Sequence, residues 1–73
     1  MDIEEIRKGA PKGATHYDTD KLFGLTYWKI NGDLGQFFYL GGWTSGKGVV
    51  LKRTMFGEIY IGSFFDRLYI KPL

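Results

Sequence analysis

Gly41-Gly42-Trp43-Thr44-Ser45-Gly46-Lys47-Gly48 comes within one residue of the phosphate-cradling loop G-x-x-x-x-G-K-[ST]. Its glycines and Lys47 fit that pattern, but position 48 is Gly, so the hydroxyl that would hold Mg²⁺ is missing. A phosphate loop must also open onto a helix N-terminus, whereas Val49-Val50-Leu51 reads as a strand. The segment is therefore expected to be a Gly-rich connection between strands that presents Trp43 and Lys47 to a partner.

His16, Asp18 and Asp20 bring an imidazole and two carboxylates together at a spacing of two. On a strand they would share one side with no fourth ligand in view, which favours a structural role over a metal. General acid–base chemistry would need two carboxylates in a cleft, and the candidates are Asp18, Asp20, Asp33, Glu58 and Asp66. Asp33 and Glu58 fall in predicted turns, where local hydrogen bonding is their ordinary work. No Ser, His and Asp arrangement forms a nucleophile triad. The expectation is a protein without catalytic activity, cofactor or metal.

Basic residues interleaved with aromatics suggest another chemistry. Lys29 lies beside Trp28, Lys52 and Arg53 precede Phe56, and Arg67, Tyr69 and Lys71 alternate on one side of a strand. Such a face can stack bases and contact phosphates, or it can simply solvate the outside of a one-sided sheet.

The elements that must position these groups are short. Asp2 is the expected N-cap of a helical turn over residues 3–8, with Glu4 and Glu5 at its positive end, Arg7 and Lys8 at its negative end, and Gly9 and Pro11 as its stop. Ile3 and Ile6 share a face and must dock on a sheet for so short a helix to persist. Residues 14–18 read as a strand, and Asp18-Thr19-Asp20 as a turn. The clearest element is a hairpin: runs 25–30 and 36–40 flank Asn31-Gly32-Asp33-Leu34-Gly35. A four-residue loop sets Trp28 opposite Phe37, whereas a two-residue Asn31-Gly32 turn would set Trp28 opposite Gly35; the first pairs aromatics and is preferred. A second hairpin is expected from 49–56 and 59–64 around Gly57-Glu58. Residues 67–71 read as a last edge strand with Leu68 and Ile70 inward and Pro72 at its end.

Thirteen aromatic residues in 73, with no cysteine, mean that large side chains must build the core, because a chain this short buries only about 60% of its unfolded surface. The expected core is Trp28, Ile30, Phe37, Tyr39, Leu51, Ile59, Ile61, Leu68 and Ile70. Runs such as Phe37-Phe38-Tyr39-Leu40, Ile59-Tyr60-Ile61 and Phe64-Phe65 are apolar on both strand faces. One short helix cannot cover both sides, so the sheet must curl or leave an apolar side for a partner. The net charge of +2 divides into −2 over residues 1–20 and +4 over 21–73, which argues against an acidic nucleic-acid mimic. Residues 1–8 lack the pattern of a secretion signal, and no apolar run approaches the ~20 residues of a membrane helix. A cytoplasmic protein without a membrane partner is the expectation.

Pro11-Lys12-Gly13-Ala14-Thr15-His16-Tyr17, followed by Tyr27-Trp28-Lys29 and Gly42-Trp43, resembles a pattern of small accessory proteins of tailed bacteriophages, in which a P-x-G-A-T-H-Y stretch precedes aromatic strands. The resemblance covers residues 10–43. It implies a phage or prophage origin, an accessory role in infection, and a host bacterial protein of the transcription, DNA-processing or defence machinery as target.

Together these readings predict one domain over residues 1–73. It is mainly β (small α+β): a compact antiparallel sheet of four to five strands, flat or curled like a barrel, with a short N-terminal helix or turn. Its expected function is to bind and inhibit a host protein through Trp43, Lys47, Lys52, Arg53, Phe64, Phe65 and Tyr69. A nucleic-acid-binding module is the alternative, and a self-associating virion component or homodimer the third reading.

Overall fold

A computed structural model describes residues 2–20, 24–45, 51–62 and 65–73. One helix, α1 (Ile3–Lys8), precedes seven strands: β1 (His16–Asp20), β2 (Gly24–Asn31), β3 (Leu34–Tyr39), β4 (Gly42–Thr44), β5 (Lys52–Arg53), β6 (Ile59–Gly62) and β7 (Arg67–Pro72). They form one antiparallel sheet in the order β4-β3-β2-β1-β7-β6-β5, curled into a half-barrel. The strand count exceeds the four to five expected because β4 and β5, of three and two residues, are too short to signal themselves by alternation.

The expected register between β2 and β3 holds: Trp28 faces Phe37, and their ring centroids lie 5.6 Å apart. The loop differs. Asn31 pairs with Leu34, so the turn is the two residues Gly32-Asp33, with Gly32 at φ 63°, a conformation that costs glycine nothing. Asp18, Thr19 and Asp20, expected in a turn, continue β1 and pair with Thr26, Leu25 and Gly24. Residues 67–72 are not an edge strand: β7 lies between β1 and β6, and Pro72 pairs with His16.

Residues facing each other across antiparallel ladders share a face. His16, Asp18, Trp28, Phe37, Ile59, Ile61, Leu68 and Ile70 therefore line the concave side, where Trp28, Ile70 and Asp18 are buried. Tyr17, Tyr27, Lys29, Phe38, Trp43, Lys52, Tyr60 and Tyr69 take the convex side. There α1 docks as anticipated: the Asp2 carboxylate accepts from the Glu5 amide at 2.9 Å, Ile6 is buried, and the Tyr27 hydroxyl donates to the Ile6 carbonyl at 2.7 Å. Tyr39 departs from the predicted core. It continues the concave row beside Phe37, with centroids 6.3 Å apart, but lies at a strand end where nothing covers it and is 60% exposed.

The P-x-G-A-T-H-Y stretch is a fold clasp. The Ala14 amide donates to the Pro11 carbonyl, the Thr15 amide donates to the Trp28 carbonyl of β2, and the Thr15 carbonyl accepts from the Leu73 amide beyond β7. The Thr15 hydroxyl accepts from the Ile30 amide at 2.9 Å. One residue thus ties β1, β2 and β7.

Candidate functional site

The two ends of the half-barrel are built differently. At the lower end, Arg53 points inward from β5 and reaches the β2–β3 turn, donating to the Asp33 carboxylate at 2.8 Å and the Gly32 carbonyl at 2.6 Å. Leu51 packs against the bare α-carbon of Gly35, where a Cβ would come within 3.0 Å of its Cδ1. The β5–β6 turn is closed by Thr54, whose hydroxyl accepts from the Phe56 and Glu58 amides at 3.2 Å.

At the upper end the described residues leave a hollow. The β1–β7 ladder consists of two pairs, His16 with Pro72 and Tyr17 with Lys71; above them β1 pairs with β2, and β7 with β6. Between these two halves lies a hollow of about 480 Å³. The rings of Trp28, Phe37 and Tyr39 wall one side, Ile61 and Leu68 the other, and Asp18 and Asp20 line it from β1. A second hollow of about 530 Å³ adjoins it, sharing Asp20, Ile61 and Leu68 and adding Asp66 and Arg67.

Two of the described apolar residues of this end are almost wholly exposed. Leu40 is 88% exposed and Phe65 95%. Leu40 and Gly41 form the β3–β4 turn with φ values of 49° and 80°, the mirror-image turn geometry that favours Asn-Gly. A leucine held there costs on the order of 1–2 kcal/mol, and its side chain gains no burial in return.

Asp18 is the electrostatic centre of the hollow. Its carboxylate accepts from the Trp28 indole N–H. Burial raises its pKa above the usual carboxylate range; the Trp28 bond opposes that rise and the neighbouring Asp20 adds to it. His16, one concave position below, shifts down, first through burial and then through the Arg53 charge. Among the described residues no three His, Asp or Glu side chains are grouped to hold a metal ion, and no helix is long and apolar enough to cross a membrane.

The predicted contact residues are dispersed. Trp43 packs edge-on to Phe38 with centroids 5.3 Å apart, and the Lys29 ammonium sits 5.1 Å from its ring centroid. That pair occupies the convex side of β3–β4. Lys52 and Tyr69 lie at the other flank, across β1 and β2, where Tyr60 and Tyr69 pair at 6.0 Å and the Arg67 guanidinium covers Tyr60 at 4.7 Å. Arg53 is committed to the lower clasp. Phe65 belongs to the open end. Lys47 and Phe64, like Val49 and Val50 of the expected second hairpin, lie outside the described residues. The sequence reading missed Leu40, Tyr39, Asp18 and Asp20 as members of one site. The period-two spacing of His16, Asp18 and Asp20, opposite Trp28 in the next strand, was the available signal.

Comparison with protein-family models, curated proteins and solved structures returns no match.

Proposed function

We propose that this chain is a non-catalytic binding protein that docks a partner protein on the open end of its half-barrel. One observation carries the reading: Leu40 is held at positive φ with its side chain in water, in the turn that follows Tyr39 of the ring-walled hollow. A bulky apolar residue kept where glycine or asparagine would be more stable is unexplained by folding, and strain of this kind collects at functional positions. Exposed apolar groups around a concave centre are also where binding energy concentrates. Following the resemblance in residues 10–43, the partner is a host bacterial protein and the chain a cytoplasmic phage inhibitor of it.

A tagged chain should retain a protein from nuclease-treated bacterial lysate, and Leu40→Asn together with Phe65→Ser should abolish that capture while the fold persists. Recovery of DNA or RNA alone would overturn the reading. That outcome would favour a nucleic-acid module using the convex flank, a second reading that rests on Arg67 over Tyr60 beside Tyr69 and Lys52. Its signature is affinity that falls steeply with salt, and Lys52→Ala would weaken it.

A further inference from the structure

We infer that the convex side of the sheet, across β1, β7, β6 and β5, binds single-stranded nucleic acid, with bases stacked on Tyr69 and Tyr17 and phosphates at Lys71 and Lys52. The inference goes beyond the protein-binding reading, because it concerns the side of the sheet turned away from the hollow and one chain can use both.

The strands divide their charges by face. Alternation along the ladders places Lys29, Lys52, Arg67 and Lys71 on the convex side, and the strand carboxylates Asp18 and Asp20 on the concave side. Among the described residues, no strand places a carboxylate on the convex side. The other acids lie elsewhere: Asp33 is held by Arg53 at the lower end, and Asp2, Glu4 and Glu5 belong to α1 and its cap, with Arg7 and Lys8 beside them. Glu58 and Asp66 immediately precede β6 and β7. Residues 1, 21–23, 46–50, 63 and 64 include no aspartate or glutamate, so they add no negative charge. Among the described residues, Lys29, Lys52 and Lys71 form no ion pair. A face whose strand charges are all cationic suits a polyanion.

The rings between these cations select which polyanion. Lys52, Tyr60 and Tyr69 stand opposite one another across β5, β6 and β7, and Lys71 stands opposite the partly exposed Tyr17 across β7 and β1. Four strands spaced by about 4.8 Å make this surface about 14 Å wide. Tyr69 is its centre. β7 lies inside the sheet and Ile70 is buried on its concave side, yet Tyr69 is 37% exposed. The Arg67 guanidinium covers Tyr60 at 4.7 Å and donates to the Tyr69 hydroxyl at 3.2 Å, so the Tyr69 ring is fixed before any ligand arrives. Every base has a face that stacks on such a ring, whatever the sequence. A duplex keeps its bases stacked on one another and would use only the cations, and an acidic protein would likewise leave the rings idle. A single strand uses both.

The test titrates the full chain into three fluorescein-labelled probes at ~50 mM salt: an oligothymidylate of about 12 nucleotides, an abasic strand of the same length, and a duplex of the same length. The oligothymidylate should bind at least about tenfold more tightly than the abasic strand, and more tightly than the duplex. Tyr69→Ile, which keeps a strand-forming apolar side chain, should remove most of the difference from the abasic strand. Lys52→Ala with Lys71→Ala, both at exposed positions, should flatten the log–log slope of affinity against salt by about 1.4, at about 0.7 for each lost phosphate contact. Equal affinity for the abasic strand, tighter binding of the duplex, an unaltered Tyr69→Ile chain, or no saturation below ~1 mM protein overturns the inference. Leu40→Asn should leave oligothymidylate binding unchanged, and a loss there would place the strand at the upper end and defeat the inference. A host protein captured after nuclease by a chain that binds no oligothymidylate would sink the inference and leave the protein-binding function standing. Oligothymidylate binding without any captured protein would do the reverse.

Discussion

The two ends of the half-barrel use the same strands and reach opposite outcomes. At the lower end, polar groups finish the sheet: Thr15 joins three strands, Arg53 crosses to Gly32 and Asp33, and Thr54 closes its own turn. Thr15, Arg53 and Thr54 each make at least one side-chain hydrogen bond to backbone there. At the upper end the β1–β7 ladder has ended, and rings and carboxylates line a hollow. Exposed apolar side chains stand at both ends, Leu34, Met55 and Phe56 below and Leu40 and Phe65 above, so what sets the upper end apart is the ring-walled hollow and its carboxylates. A small domain can afford the open end because the closed one holds the register.

The comparison breaks most severely at the floor the two ends share. Trp28 is buried, packs on Phe37 and binds Asp18. Trp28→Ala should cost about 3–5 kcal/mol, comparable to the whole stability of a domain of this size, so circular dichroism should show a chain largely unfolded at room temperature. Trp28→Phe keeps the ring but strands the Asp18 carboxylate, and should cost less, about 1–3 kcal/mol.

Opening the lower clasp is milder. The Arg53–Asp33 pair is exposed, with Asp33 almost wholly in water, and such pairs contribute about 0–1 kcal/mol. The bond from Arg53 to the Gly32 carbonyl adds about 1 kcal/mol more. Arg53→Ala should therefore destabilise by about 1–2 kcal/mol in urea unfolding, and Asp33→Ala by less than about 0.5 kcal/mol. Equal losses would mean that the ion pair, rather than the carbonyl contact, closes this end.

Leu40 should behave in the opposite sense. Leu40→Asn relieves a positive-φ leucine without removing a buried contact, so it should raise stability by up to about 1 kcal/mol while lowering partner capture. A mutation that helps folding and harms binding is the expected mark of a residue retained for function. If the variant is destabilised, Leu40 packs in a way its 88% exposure does not convey.

What the sequence discloses follows range. The β2–β3 register was legible because Asn31, Gly32 and the facing aromatics act within ten residues. The inward side of β7 was legible because Leu68 and Ile70 alternate with Arg67, Tyr69 and Lys71. Its place in the sheet was not: Pro72 suggested an edge, yet β1 pairs with β7 through contacts some 55 residues apart in the chain, which leave no local mark. Asp18-Thr19-Asp20 carries turn-forming residue types, and pairing with Thr26, Leu25 and Gly24 overrode that preference. Tyr39 was assigned to the correct side and the wrong environment, because alternation gives a face and says nothing of where the opposing wall ends.

Acidity separates the two ends by sign. Asp18 has a folded-state pKa raised above the usual 3.8 by burial, so the folded state takes up its proton more readily than the unfolded chain. The stability linked to that proton is fully present below 3.8 and is lost as pH rises through the folded value. His16 is the reverse. Burial and Arg53 lower its pKa below the usual 6.5, so its contribution is present above 6.5 and is lost as pH falls through its folded value. Asp18→Asn should therefore raise the melting temperature at pH 7, with an advantage that shrinks on acidification and vanishes below pH 3.8. His16→Gln should flatten the loss on the acid side of 6.5 while leaving the Asp18 limb in place. Thermal melts of wild type and both variants from pH 3 to 8 resolve the two limbs. An Asp18→Asn chain less stable than wild type at pH 7 would show that Trp28 draws more from the charged acceptor than burial takes away, and the upper end would then be braced by its carboxylate as the lower end is by its arginine.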